Sequence, residues 1–292
     1  MKYKITHTTI YNYETPVRVC HNLVMLTPRA DARVRIHSHR LRINPTPDLL
    51  HQRIDFFGNH LHAFSIDESH RQLRVTSMMQ LRVFKSRVPD LHMTPAWESI
   101  VRAVAMAEDS QWLTAVPYLF DSRRIERGSQ FAEYAYQDFT AGRPVAQCAS
   151  ELMGRIHREF VYDPTATFVN TLPQETLTLK RGVCQDFAQL AISCLRSVGL
   201  AARYVSGYLR TVPAVGTDRL VGADQSHAWV SVYCGEQAGW IEFDPTNNCL
   251  CAQDHVPIAW GRDYQDVVPV RGVFLGGGQH ALKVSVDVEP VA

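Results

Sequence analysis

Long apolar runs are missing from this chain. No stretch approaches the roughly 18 consecutive apolar residues of a membrane-spanning helix, so no span is expected. The opening MKYKITHTTIYNYE alternates polar with β-branched or aromatic residues and has no apolar block, so it reads as folded strand rather than secretory signal. An excess of one charge sign is also lacking. The 30 basic and 29 acidic residues give a net charge of +1, which offers no electrostatic reason for nucleic acid or an anionic membrane as partner. The seven cysteines (Cys20, Cys148, Cys184, Cys194, Cys234, Cys249, Cys251) are odd in number and form no CxxC pair. With no export signal, reduced thiols in a cytoplasm are the expectation. No GK[ST] phosphate loop and no D-x-[DN]-x-[DN]-G calcium loop occurs, and no cofactor or metal is expected.

What is present is an ordinary globular composition, 46% hydrophobic and 20% charged over 292 residues. That length suggests about two domains with real cores. Residues 1–88 read as a small antiparallel β domain: YKITHTTIYNY, ARVRIHSHRLRINP, HAFSID and LRVTSMMQLRVF alternate, with turn signals NPTPD and FFGNH between them. After the prolines of SRVPDLHMTPAWE the period changes, and residues 97–160 are mostly helical in pattern. Residues 89–292 are taken as the second domain. Within it Cys184, Phe187, Ala188, Ala191, Cys194, Leu195 and Val198 share one helix face, and Gly199 stands where a C-terminal cap belongs. ARYVSGY, HAWVSVY and GWIEFDPT follow as strands, so the fold class is α+β.

Cys184 opens that helix, where free N–H groups and the dipole favour an anion. A nucleophilic thiol also needs a base, and the base needs an orienting group. Read as a hairpin with the four-residue loop Cys234–Gln237, SHAWVSVYCGEQAGWIEFDPT pairs Tyr233 with Ala238 and His227 with Asp244. Paired residues share a face. Ala228, Val230, Val232, Ile241 and Phe243 then make an apolar face, while His227 and Asp244 lie together on the other. A cysteine at a helix start, then a histidine and an aspartate on neighbouring strands, is the arrangement of papain-like thiol enzymes. His227 would take the thiol proton and Asp244 would fix the imidazole.

GVCQDFAQLAISCLRSVGLAARYVSGY, SHAWVSVY and GWIEFDPTN together resemble the bacterial transglutaminase-like family of the papain-like thiol-enzyme superfamily. THTTIYNYETPV, LTPR and DFFGN resemble that family's N-terminal β domain, and GRDYQDVVPVRGVFLGGG its C-terminal segment. The resemblance places the catalytic cysteine, histidine and aspartate on Cys184, His227 and Asp244. It implies a thioester mechanism on an amide: peptide or isopeptide hydrolysis, or acyl transfer to an amine, with a peptide or protein amide as the partner. The alternative is a catalytically idle peptide-binding module that retains the fold. The backbone N–H of Cys184 is one expected oxyanion donor, and Tyr162 in REFVYDPTAT the candidate second.

Other features carry less. His37 and His39 in HSH, and His60 and His62 in HLH, lack a Cys or carboxylate cluster to complete a ligand set, so a solvated or partly buried strand face is expected. Cys249, Cys251 and His255 in CLCAQDH bring ligands from one place only and read as structural. FLGGGQH reads as a turn. Lys180 and Arg181 either help hold a thiolate or attract an acidic substrate, or form a solvated loop. Both readings stay open.

Overall fold

The computed structural model of the chain describes residues 1–85, 90–108, 111–210 and 225–291. A first sheet is built on β1 (Lys2–Thr27), a 26-residue strand whose alternate residues Tyr3, Ile5, His7 and Thr9 are buried. β2 (Val34–Asn44), β3 (Leu49–Ile54), β4 (His60–Ile66) and β5 (His70–Val83) complete its N-terminal part. The early part of β1 pairs with β5, the later part with β4, and the ladder shifts register between Asn12 and Val17. Proline at 16, which has no N–H to give a ladder, lies inside that shift. β3 escapes the alternation test because all six of its residues are exposed, so neither face selects apolar side chains.

The helical middle follows as α1 (Trp97–Ala105), α2 (Trp112–Ala115), α3 (Ser129–Tyr136) and α4 (Val145–Glu159). Then come the two-residue strand β6 (Val161–Tyr162), α5 (Pro173–Leu179), β7 (Arg181–Gly182) and the central helix α6 (Cys184–Ser197). The second sheet contains β8 (Ala202–Leu209), β9 (Gln225–Tyr233), β10 (Trp240–Asp244), β11 (Cys249–Leu250) and β12 (His255–Gly261). Its order is β11-β10-β9-β8-β12, antiparallel throughout. Among the described residues no helix is long and apolar enough to cross a membrane.

α6 is buried from Asp186 to Arg196, more completely than a single apolar stripe requires. It packs on β8 and β9 and is surrounded by α3, α4 and α5. Ala228, Val230, Val232, Ile241 and Phe243 form the expected apolar face beneath it. Arg196 is its buried cation: the guanidinium donates to the carbonyls of Ala202, Phe120 and Arg262, tying the helix end to the start of β8 and to two loops. Burial lowers its pKa to about 10, which leaves the charge in place at neutral pH. Gly199 ends the helix with φ +85, a left-handed conformation that glycine adopts without strain.

The chain then returns. β13 (Val270–Gly276) and β14 (His280–Val291) pair antiparallel with β1, on the side away from β4 and β5. The division into 1–88 and 89–292 is corrected accordingly: residues 270–291 complete the first sheet, and the expected boundary at 88/89 lies outside the described residues. FLGGGQH is the turn between these strands, with positive φ at Gly276, Gly277 and Gly278.

The two sheets meet through Tyr3, Ile5, Leu81 and Val288 on one side and Tyr208, Val256 and Ile258 on the other. A polar clamp adds direction. Asn59 is fully buried; its amide donates to the Trp260 carbonyl (2.9 Å) and accepts from the Trp260 N–H (3.1 Å), as a strand neighbour would. Arg29 donates to the same Asn59 oxygen (2.7 Å) and lies 3.5 Å over the Trp260 ring. LTPR and DFFGN thus act together at the junction. Asn59→Ala would leave a buried N–H and C=O of Trp260 without partners, so it should destabilise the protein by about 2–3 kcal/mol. The urea midpoint checks this, and an unchanged midpoint would show the clamp to be incidental.

Candidate active site

The start of α6 is held by short-range devices. β6 and β7 form a parallel pair that sets Tyr162 beside Gly182. Asp186, at the third helical position, accepts the Val183 N–H (2.9 Å) and the Thr167 hydroxyl (2.6 Å). A Cβ on residue 182 would stand 2.7 Å from the Asp186 carboxylate, so the cap requires glycine there. Burial raises the Asp186 pKa, against those hydrogen bonds. Cys184 follows as the first helical residue, partly exposed, in a cleft it shares with His227.

His227 is buried on β9, and its Nε2 lies 2.7 Å from the Asp244 carboxylate. Cys184 lines the same cleft as His227 and is among the groups that raise the imidazole pKa; with Nε2 held by Asp244, Nδ1 is the nitrogen left for the sulfur. Burial would lower the His227 pKa, but Asp244 and Cys184 outweigh it and raise it to about 10. Burial would likewise raise that of Asp244; hydrogen bonds from His227, His255 and Asn247 instead hold it far below the usual carboxylate range. The three residues singled out from the sequence therefore come together.

The pairing that led to them was off by two. Trp240 sits opposite Tyr233, and Phe243 opposite Val230. The loop is longer than four residues: Cys234 N–H bonds to the Gly239 carbonyl at 2.8 Å, with positive φ at Gly235 and Gly239. His227 and Asp244 are thus not directly opposed. A slip of two preserves the face of every side chain, and so the two still meet.

Two partners went unrecognised in the sequence. His255, on β12, places Nε2 3.0 Å from the same Asp244 oxygen and takes the Ala252 N–H on Nδ1 at 3.4 Å. Asn247 donates to that oxygen at 2.7 Å, while the N–H groups of Thr246 and Asn247 reach the other carboxylate oxygen. The CLCAQDH stretch held the signal, but nothing local shows that β12, paired to β8 at the far edge, turns its first residue onto β10.

His227, Asp244 and His255 are the residues among those described that could hold a metal. Their contacts of 2.7 and 3.0 Å are hydrogen-bond lengths. Two ligands on tetrahedral zinc stand roughly 3.3 Å apart, so the geometry fits shared protons better than a shared ion. The HSH and HLH histidines are partly satisfied strand residues: His39 bonds Ser77 (2.9 Å) and His62 bonds Thr27 (3.5 Å). Lys180 pairs with Glu159 at 3.0 Å, and Arg181 with Asp163 at 3.4 Å, which favours the loop reading of that pair. Tyr162 is 46% exposed, its ring against Phe187. Its pKa is raised by burial first and then by the nearby Cys184 and Asp186.

Comparison with known proteins agrees with this architecture. Residues 3–82 match the bacterial transglutaminase-like N-terminal region, and residues 134–245 the transglutaminase-like superfamily. An uncharacterized protein of Mycobacterium tuberculosis is 38% identical, over 99% of this chain and 93% of its own length. The chain belongs to the bacterial transglutaminase-like family. A second family member, an uncharacterized protein of Mycobacterium leprae, is 30% identical over 99% of both chains. The crystal structure of a "putative cysteine protease" from Cytophaga hutchinsonii shares the fold of this transglutaminase-like chain, with a TM-score of 0.75 at 21% identity over 100% of this chain and 92% of that one.

The protonation of His227 can be measured without a substrate. Nitrogen-15 histidine spectra should show its imidazole still protonated at pH 8, above the ordinary value near 6.5. Cys184→Ser should lower its pKa, because the thiol is one of the groups raising it. Titration near 6.5 in both proteins would count against the coupled arrangement.

Proposed function

We propose that this protein is a thiol enzyme acting on an amide bond, with Cys184 as nucleophile, His227 as acid and base, and Asp244 as the group that orients His227. The single observation carrying this reading is an imidazole bound at Nε2 by a buried carboxylate (2.7 Å) in the cleft that the helix-start Cys184 also lines. The sulfur attacks the carbonyl carbon while its proton resides on His227. The C–N bond then breaks, and the departing amine takes that proton, leaving a thioester on Cys184. Water, or a second amine, attacks the thioester; His227 removes the proton and returns it to the sulfur. An acid or a new amide is released.

Asp244 keeps Nε2 as the protonated nitrogen, so that Nδ1 can exchange a proton with the thiol. The oxyanion needs donors as it forms. The Cys184 N–H at the first helical position has no partner four residues back in the helix, and the Tyr162 hydroxyl is the proposed second donor. Peptide or isopeptide hydrolysis and acyl transfer to an amine both follow from this chemistry, with a peptide or protein amide as substrate. A chicken relative named peptide-N(4)-(N-acetyl-β-glucosaminyl)asparagine amidase, 30% identical over 33% of this chain and 12% of its own length, supports the choice of an amide. A reducing cytoplasm suits a reactive thiol among seven unbridged cysteines.

Iodoacetamide near neutral pH tests the thiol: Cys184 should label far faster than the other six, and uniform slow labelling would favour an idle binding module. In assays across amide substrates with and without an added amine, Cys184→Ala should lose at least about 10³-fold in kcat, with Asp244→Ala somewhat less damaging. Near wild-type turnover in Cys184→Ala would rule out the assignment. Tyr162→Phe should lower kcat by roughly 10²–10³-fold. A change below about threefold would make Tyr162 a packing residue.

A further inference from the structure

The cleft in front of the thiol, about 220 Å³, has walls of different origin. Cys184, Tyr204 and Tyr264 line one side, and the first sheet supplies the other through Tyr11 on β1 and Leu282 and Val284 on β14. The register places Tyr11 opposite Leu282, Thr9 opposite Val284, His7 opposite Val286 and Ile5 opposite Val288. Cross-strand partners share a face, so these pairs form one stripe. Its inner rows are closed: Ile5, Val286 and Val288 pack against Tyr208 and Val256. The outer rows continue the same apolar face into the cleft, where Leu282 stays 55% and Val284 48% exposed.

Charge is the second observation. Among the described residues that line the cleft there is no Lys, Arg, Asp or Glu. The histidines are His227, committed to Asp244, and His7, which is bonded to Tyr208 and Thr9. Burial lowers the His7 pKa to about 4, so it is neutral at pH 7. A charged side chain entering here would lose hydration and meet, among the described lining residues, no charge beyond His227, which Asp244 already pairs, whereas an aliphatic or aromatic one would cover Leu282 and Val284.

We infer that the acyl side of the substrate is uncharged and apolar next to the scissile carbonyl, and that Tyr11, Leu282 and Val284 of the first sheet select it. This rests on the thiol-enzyme reading above and assigns the first sheet a part in substrate choice.

The probes are p-nitrophenyl esters of N-acetyl-leucine, -phenylalanine, -aspartate and -lysine, given to the full chain near pH 7. The Cys184-dependent kcat/KM should be at least tenfold higher for Leu and Phe than for Asp and Lys. Leu282→Glu, at a half-exposed position, should cut the Leu-to-Lys ratio by tenfold or more, and Leu282→Met should keep it. A flat profile, a preference for a charged ester, or an unmoved ratio in Leu282→Glu would overturn the inference. So would a dimer by sedimentation that Leu282→Glu dissociates while the ratio holds, since the stripe would then be a subunit contact. Failure of the underlying reading looks different: Cys184→Ala would hydrolyse all four esters as fast as the wild type.

Discussion

A carboxylate with no exposed surface stands at the centre of this molecule. Asp244 accepts hydrogen bonds from His227, His255 and the Asn247 side chain on one oxygen, and from two backbone N–H groups on the other. A buried charge is tolerated only when it is fully partnered, and the second sheet supplies those partners from three places. β9 brings His227, the turn after β10 brings residues 246 and 247, and β12 brings His255 from the far edge. The orientation of the imidazole that faces Cys184 is therefore a consequence of satisfying Asp244. Truncating either histidine would leave the carboxylate under-partnered, which links the chemistry of the site to the stability of the sheet.

Much of this was legible in the sequence because its signals are local or periodic. The apolar face of α6, the cap at Gly199 and the alternation in β8, β9 and β10 each depend on residues within one or two turns or strands. The hairpin register was wrong by two, since a four-residue loop ignores the glycines at 235 and 239, which let the turn lengthen. His227 and Asp244 meet all the same, because side-chain direction has a period of two. His255 and Asn247 were not legible as partners of Asp244. Their contacts depend on how β12 crosses the sheet, and no spacing encodes that. The return of β13 and β14 to β1 was hidden for the same reason: a strand pattern shows that a strand forms, not what it pairs with.

The LTPR and DFFGN motifs of the N-terminal region have their physical role at the junction between the sheets. Arg29 of LTPR and Asn59 of DFFGN both converge on Trp260, one by stacking and one by replacing a missing strand neighbour. Arg33 adds a third link through Glu242 at 2.6 Å, and Glu242 also accepts from the indole of Trp229 at 2.9 Å. Trp229 lies on the same strand as His227, so the first sheet fixes the strand that carries the proposed base.

These links give the two sheets separate duties on one connected frame. The second sheet and α6 hold the thiol, imidazole and carboxylate, where small displacements would break short hydrogen bonds. The first sheet holds the outer wall of the cleft with half-exposed apolar side chains, which tolerate exchange with little loss of packing. The return of the chain through β14 makes this possible, because Leu282 and Val284 come from the last strand rather than from the strands that carry His227 and Asp244. Changes at residues 282 and 284 can therefore alter what enters the cleft without touching any partner of Asp244.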